Sequence, residues 1–110
     1  MNYPMKPVNT IDLGKIEGTV YTGRDRGEGL RTVFEIDGLD GQPVEVVVLI
    51  PSTVISISSS FFLGLFGPSV VRLGDRDAFY KKYSFKTTEF LRSIIDGYVL
   101  RALQERNLFS

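Results

Sequence analysis

The chain has 110 residues, of which 43% are hydrophobic and 24% charged, and this composition is typical of one globular domain with a single core. Thirteen basic side chains balance thirteen acidic ones, so net charge gives no reason to expect binding to nucleic acid or to an anionic membrane. The sequence contains no His, Cys or Trp, which excludes a disulfide, a thiolate nucleophile, an imidazole base and a zinc site of the usual kind. We therefore expect neither a metal nor a cofactor.

The sequence indicates a short N-terminal arm, one domain and no membrane-spanning segment. Residues 1–9 hold two prolines and scattered apolar residues, without the basic-then-apolar order of a signal peptide. They are predicted to form a short N-terminal arm on a cytoplasmic protein, and residues 10–110 to form a single domain. The uncharged stretch from Val46 to Val71 is interrupted by prolines and serines, and its apolar clusters are too short to span a membrane.

The first half of the chain alternates apolar runs with glycines. Ile11 to Tyr21 predicts one strand or a short hairpin, and the segment Gly23–Gly29 is predicted to be a loop. Residues 30–38 carry apolar residues at the spacing of a short helix, which is predicted to end near Gly38. Residues 44–50 are almost all β-branched or aliphatic, which is typical of a central, parallel strand buried on both faces. Pro51 is expected to end this strand, since it cannot donate to the ladder.

The second half predicts three helical segments. The first begins within Ser58–Ser60 and continues through large apolar residues. Pro68 has no N–H for the carbonyl of Gly64, so this helix is expected either to kink or to stop at Gly67 and restart. Residues 75–80 predict another helical turn, and residues 83–86 a short edge strand.

The last segment predicts the clearest helix, which Thr87 or Thr88 can cap. Its apolar stripe consists of Leu91, Ile94, Ile95, Tyr98 and Ala102. Strands that alternate with helices along the chain indicate an α/β fold with helices packed on a small sheet.

The segment around the serine run resembles a known family. A hydrophobic strand, a short connection and then Ser58–Phe62 at the start of an apolar helix resemble STAS domains, the regulatory modules of sulfate transporters and anti-sigma-factor antagonists. In those domains an Asp-Ser-Ser/Thr-Gly-Leu run occupies this place. Ile57–Phe61, followed by an apolar helix and Arg72–Gly74, resembles more specifically the bacterial STAS-like family of unknown function. Over roughly residues 20–105 the resemblance implies a STAS-like small mixed sheet with helices packed on it.

The resemblance also implies a role for the serines. In anti-sigma-factor antagonists a kinase-like ATPase partner phosphorylates the serine after the aspartate and is thereby released, and the matching position here is Ser59. Ser58 stands where the family has aspartate, and Phe61 where it has glycine. On physical grounds alone, a hydroxyl at a helix start can cap the helix, bind an anion or carry a phosphate. Ser58, Ser59 and Ser60 are therefore the candidate partner-binding or phosphoacceptor residues, the alternative being one cap and two spacers.

Two further groups of residues are candidate contacts. Arg24, Arg26 and Arg31 lie among three glycines and could contact an anion or a partner, although the Gly-Lys-Ser/Thr ending of a P-loop is missing. The alternative is a solvated loop with ion pairs. Phe62 or Phe66 would serve as an apolar anchor if one of them were exposed, whereas both would be core residues in an ordinary small domain.

These observations favour a non-enzymatic regulatory module that docks on a kinase-like ATPase or other signalling protein through the serine-rich helix start. One alternative is a self-associating structural domain, which would form a homodimer through a sheet edge or the last helix. Another is an anion- or nucleotide-binding domain without a phosphorylation switch. An enzyme is not expected, because neither Gly-x-Ser-x-Gly nor Ser-x-x-Lys occurs.

Overall fold

The computed structural model describes residues 8–108, and the side chains of residues 9–105. The elements in chain order are β1 (Val8–Asp12), a short 3-10 helix (Leu13–Lys15), β2 (Val20–Tyr21), α1 (Arg24–Val33), α2 (Ile36–Asp40), β3 (Glu45–Leu49), β4 (Ser56–Ile57), α3 (Ser59–Leu73), α4 (Arg76–Lys82), β5 (Tyr83–Lys86) and α5 (Glu89–Leu108).

The strands form two small parallel sheets with helices packed on them. One sheet has the order β1-β3-β5, and the other pairs β2 with β4. Every strand pair in the described part of the chain is parallel, so the prediction of a mixed sheet is wrong there. Parallel partners need a crossover, and helices lie between each pair of partner strands along the chain.

The predicted central, parallel strand is confirmed as β3, but its burial on both faces is not, because Val47 and Leu49 are only half-buried. Its residues Val46 and Val48 are fully buried, and it pairs with β1 on one side and β5 on the other. The strand ends at Leu49, two residues before Pro51. β5 is the outer strand on its side of the sheet, as its short length and position in the sequence predicted.

The segment from Ile11 to Tyr21 forms neither one strand nor a hairpin. β1 ends at Asp12, whose carboxylate accepts a hydrogen bond from the Gly14 N–H at 2.8 Å, and the 3-10 helix follows. β1 and β2 therefore belong to different sheets. β1 begins at Val8, inside the predicted arm, and residues 1–7 lie outside the described residues.

The predicted loop Gly23–Gly29 is also wrong, because α1 begins at Arg24. A Cβ on Gly27 would lie 2.2 Å from the Phe61 carbonyl oxygen, and a Cβ on Gly64 would lie 2.3 Å from the Arg24 carbonyl oxygen. These two glycines let the backbones of α1 and α3 touch where the helices cross. Glycine at position 27 therefore serves packing between helices rather than a turn.

α3 is one uninterrupted helix with Pro68 inside it, so the predicted stop at Gly67 is wrong. The helix ends at Leu73, and its C-cap Gly74 has a φ of 99°, where glycine is favoured. Phe62 and Phe66 are 2% and 0% exposed and both rings pack near Phe85, which removes them as exposed anchors. α3 is buried on most of its surface because it contacts both α1 and α5.

The predicted C-terminal elements are confirmed. Asp75 caps α4 by accepting from the Ala78 N–H at 2.8 Å, and the Thr88 hydroxyl, rather than that of Thr87, accepts from the Leu91 N–H at 3.2 Å at the start of α5. The predicted stripe of α5 faces the core: Leu91, Ile95 and Ala102 are buried, and Ile94 and Tyr98 are half-buried.

A polar cluster inside the domain accounts for Arg31, which was expected to contact an anion or a partner. Arg31 is only 6% exposed and donates to the Leu65 carbonyl oxygen at 2.8 Å and to the Ser69 hydroxyl at 2.9 Å. Its guanidinium also pairs with the carboxylates of Asp37 and Asp40. Arg31 thus joins α1 to α2 and α3 instead of facing a ligand.

Asp40 is the centre of this cluster, and its side chain is fully buried. Its carboxylate accepts hydrogen bonds from the Ser69 hydroxyl at 2.7 Å, from Arg72 at 2.9 Å and from the Tyr83 hydroxyl. Burial, and then the hydrogen bond to Asp40, raises the pKa of Tyr83 above its ordinary value, so this phenol remains a donor. The cluster connects α2 to α1, α3 and β5.

Glu35 adopts a left-handed backbone conformation, with φ of 55°, between α1 and α2. This conformation disfavours a residue with a Cβ by about 1 kcal/mol. We therefore expect Glu35→Gly or Glu35→Asn to raise the free energy of unfolding by about 0.5 kcal/mol, measured by urea unfolding. Glu28→Gly, in the exposed interior of α1, is the matched control and should lower it by about 1 kcal/mol. Equal destabilisation by both glycine variants would contradict the strain at Glu35.

Candidate functional site at the start of helix α3

The three serines Ser58–Ser60, called the serine start below, lie where two parallel strands end side by side. β2 leads into α1 and its neighbour β4 leads into α3, and the Ser58 N–H donates to the Tyr21 carbonyl oxygen at 2.9 Å. Since the carboxyl ends of parallel neighbours lie at the same edge, the first turns of α1 and α3 lie next to each other. The predicted helix start within Ser58–Ser60 is confirmed.

The three hydroxyls have different environments. Ser58 is the N-cap, and its Oγ accepts from the Phe61 N–H at 3.1 Å. Ser59 is half-buried, and its Oγ accepts from the Arg101 guanidinium at 3.2 Å. Ser60 is exposed, and its hydroxyl has no hydrogen-bond partner among the described residues. One hydroxyl therefore serves the helix, one lies against a cation and one faces solvent.

The capping assignment predicts a difference between two alanine variants. Ser58→Ala removes the hydroxyl that accepts from the Phe61 N–H and should lower the free energy of unfolding by about 1 kcal/mol. Ser60→Ala, two residues along the same helix, should change it by less than about 0.5 kcal/mol. Urea unfolding monitored by circular dichroism measures both values. A larger loss for Ser60→Ala than for Ser58→Ala would contradict the assignment.

Arg101 is the site residue that the sequence did not indicate. It lies on α5, 42 residues from Ser59, and its side chain is 55% exposed and also donates to Glu105 at 3.2 Å. The position of α5 beside the serine start is supported by the Tyr98 hydroxyl, which donates to the Ile57 carbonyl oxygen at 2.8 Å. Sequence spacing carries no signal for this contact, since it depends on how α5 packs across α3.

The three predicted arginines are not brought together. Arg31 is buried in the Asp40 cluster, whereas Arg24 is exposed at the first residue of α1. Arg26 lies over the rings of Tyr21 and Phe61, with its guanidinium carbon 5.2 and 5.9 Å from the two ring centroids. Arg26 therefore covers part of the aromatic core, and of the three only Arg24 projects freely into solvent near the serine start.

Exposed apolar side chains occur on the strands that lead to the serine start. Val20 on β2 is 48% exposed, and Ile55, directly before β4, is 66% exposed. Val20 is paired in register with Ser56, so these residues lie close to the point where α3 begins. Charged side chains of both signs lie nearby, since Asp25 follows Arg24 and Glu105 accepts from Arg101. A surface that mixes apolar and charged side chains in this way is of the kind found in protein interfaces.

Within residues 9–105, no three acidic side chains converge in a way that could hold a metal ion. None of the helices in the described part of the chain has the length and hydropathy needed to cross a membrane. Comparison of the chain with protein-family models, with curated proteins and with solved structures found no match. The resemblance to STAS-like domains therefore rests on the serine run and on the order of the elements.

Proposed function

We propose that this chain is a non-enzymatic regulatory module of STAS-like fold that docks on a cytoplasmic protein partner, a kinase-like ATPase or another signalling protein, through the serine start. The observation that carries the proposal is the unit of buried strand, serine run and apolar helix, with the hydroxyls at an accessible helix start. A hydroxyl within a strand or sealed in the core could not meet another molecule, and Ser59 and Ser60 are in neither position.

The charge around Ser59 supports a regulatory role for this residue. The first turn of α3 carries free N–H groups and about half a positive charge, and the Arg101 guanidinium lies beside the Ser59 hydroxyl. A phosphoryl group on Ser59 would be stabilised by both features and would add up to about two negative charges to this surface. The family has aspartate where this chain has Ser58. The Ser58 hydroxyl caps α3, as an aspartate at this position could, so the helix start is capped despite the difference.

The apolar residues beside the serine start support docking rather than catalysis as its role. Val20 and Ile55 would lose exposed apolar surface against a partner, while the polar serines would set the specificity. A charge placed on Ser59 would then alter the interface without disturbing the core beneath it.

The proposal predicts that Ser59→Asp changes the affinity for the partner by at least about tenfold, equivalent to about 1.4 kcal/mol. The free energy of unfolding should change by less than about 0.5 kcal/mol, because an acidic side chain is favourable in the first turn of a helix. The partner is first captured from native extract on the wild-type protein, and its affinity for each variant is then measured by calorimetry. Ser52→Asp adds the same charge at an exposed serine before β4 and is the matched control.

Two results would contradict the proposal. If Ser59→Asp and Ser59→Ala both bind the partner as the wild-type protein does, the serine start is not the docking site. If Ser52→Asp weakens binding as much as Ser59→Asp, the effect is one of overall charge. Where the partner is a kinase-like ATPase, incubation with ATP and mass spectrometry would also report whether Ser59 is the residue modified.

A further inference from the structure

A groove of about 450 Å³ runs beside β5, between α4 and α5. Its floor includes Tyr83, Ser84 and Phe85, three consecutive residues of the strand. Successive side chains of a strand point to opposite faces of a sheet, so a groove that meets all three must run along the main-chain edge. The volume lies within the range of about 300–1,000 Å³ that ligand sites occupy.

The register of the sheet shows which main-chain groups face this groove. The Ile50 N–H donates to the Lys86 carbonyl oxygen at 2.9 Å, which places the main-chain groups of Lys86 and Ser84 toward β3. The N–H and C=O of Phe85 consequently point away from β3, and neither has a hydrogen-bond partner among the described residues. A strand edge with unpaired main-chain groups pairs with another extended chain.

An ionic cluster joins the two helices that flank the groove, α4 and α5. Arg76 makes two hydrogen bonds to the Asp96 carboxylate, at 2.7 and 3.1 Å, and the Tyr80 hydroxyl donates to the same carboxylate at 2.9 Å. The hydrogen bond from Arg76 holds the pKa of Asp96 below its ordinary value, so the cluster stays ionised at neutral pH. These side chains already satisfy one another, so they hold α4 and α5 at a fixed spacing beside β5.

The other charged side chains near the edge are unpaired. Arg92 on α5 and Lys86 on β5 are exposed cations, and Glu89 is an exposed anion. None of the three has an ion-pair partner in the described part of the chain. Of these, Arg92 and Glu89 line the groove, and the Arg92 guanidinium can pair with a carboxylate of the occupant. The edge is also recessed, since α4 and α5 stand on both sides of it. The β5 of a second copy would be recessed in the same way, so two such edges could not meet.

We propose that this groove binds an extended peptide segment of a partner protein, which adds as a strand beside β5 and presents an acidic side chain to Arg92. The main chain of Phe85 would supply the hydrogen bonds, and Arg92 would select the acidic side chain of the peptide. This second docking surface uses residues of α4, β5 and α5 that are distinct from the serine start and does not depend on the function proposed for it.

The test is selection of a displayed library of random seven-residue peptides on the wild-type protein, with counter-selection on Ser93→Trp. Ser93 is an exposed residue of the groove wall, so tryptophan there fills the groove without entering the core. Ser52→Trp, at an exposed serine outside the groove, is the matched control. We expect enriched peptides rich in Asp and Glu, at least tenfold weaker binding to Ser93→Trp, unchanged binding to Ser52→Trp, and slower hydrogen exchange of the Phe85 amide in the complex.

Methylation of alternate main-chain nitrogens in an enriched peptide is expected to abolish its binding, because strand pairing needs those N–H groups. Binding that survives methylation, or that is equal for wild-type and Ser93→Trp, would overturn the proposal. The absence of any peptide enriched over the Ser93→Trp selection would overturn it as well. Concentration-dependent self-association in light scattering that Ser93→Trp abolishes would assign the groove to a second copy instead.

Discussion

Replacing Gly64 by alanine is expected to lower the free energy of unfolding by about 3 kcal/mol, at the upper end of the range for overpacking. The added Cβ would lie 2.3 Å from the carbonyl oxygen of Arg24 and 3.1 Å from its carbonyl carbon. Both neighbours are main-chain atoms, so no side chain can rotate away, and α1 and α3 must move apart. Because these helices share the most extensive helix–helix contact in the described domain, the loss should spread to the core around Phe61.

Thermal unfolding measures this effect, and a loss of this size corresponds to a melting temperature lower by on the order of 15 °C. Gly27→Ala meets the Phe61 carbonyl oxygen at 2.2 Å and should behave in the same way. Gly29→Ala and Gly97→Ala are the matched controls, since a Cβ at either position has open space. Each control should stabilise its helix by about 0.5–1 kcal/mol. Similar melting temperatures for Gly64→Ala and Gly97→Ala would show that the helices do not touch as described.

The second large effect is expected for Asp40→Asn, with a loss of about 3–5 kcal/mol. The fully buried carboxylate of Asp40 accepts from the side chains of Ser69, Arg72 and Tyr83 and also pairs with Arg31. An amide has the same shape but no charge, and its NH₂ group would face donors. The buried guanidinium of Arg31 would keep only the solvent-exposed carboxylate of Asp37 as a counter-ion.

Asp37→Asn is the matched control, because Asp37 pairs with the same guanidinium but its side chain is 73% exposed. Solvent screens that ion pair, so the control should lower the free energy of unfolding far less than Asp40→Asn does. Urea unfolding gives the free energy of unfolding of both variants, and the dependence of this free energy on urea concentration should be the same for the two. Equal losses for the two substitutions would mean that the burial of Asp40 contributes nothing to the stability.

Several elements were predictable because their signals are local. The run from Val44 to Ile50 is rich in β-branched residues, and this composition is typical of a central, parallel strand. The serine run before a long apolar stretch indicated a helix start, since a hydroxyl there can accept from a free N–H three residues on. The period of α5 was likewise visible in its own sequence. In each case the residues that create the signal are the residues that form the element.

The arrangement of the candidate site was less predictable. The sequence indicated the serines but not Arg101, because their contact joins α3 and α5 across 42 residues. The predicted arginines were grouped by their closeness in the sequence, whereas the helix α1 separates their environments: Arg31 is buried and Arg24 is exposed. Phe62 and Phe66 were candidates for exposure because a helix that is apolar all round does not reveal how many of its faces are covered.

The sequence by itself determined which segments become the central strand, the serine-capped helix and the C-terminal helix, because composition and periodicity act over a few residues. Only the tertiary structure decided that Gly27 lies within a helix, that Asp40 is buried and that Arg101 meets Ser59. Close approach of two backbones, exclusion of water from a carboxylate and contact between distant side chains depend on how the segments pack. These properties come into being only when the sheets and helices have assembled.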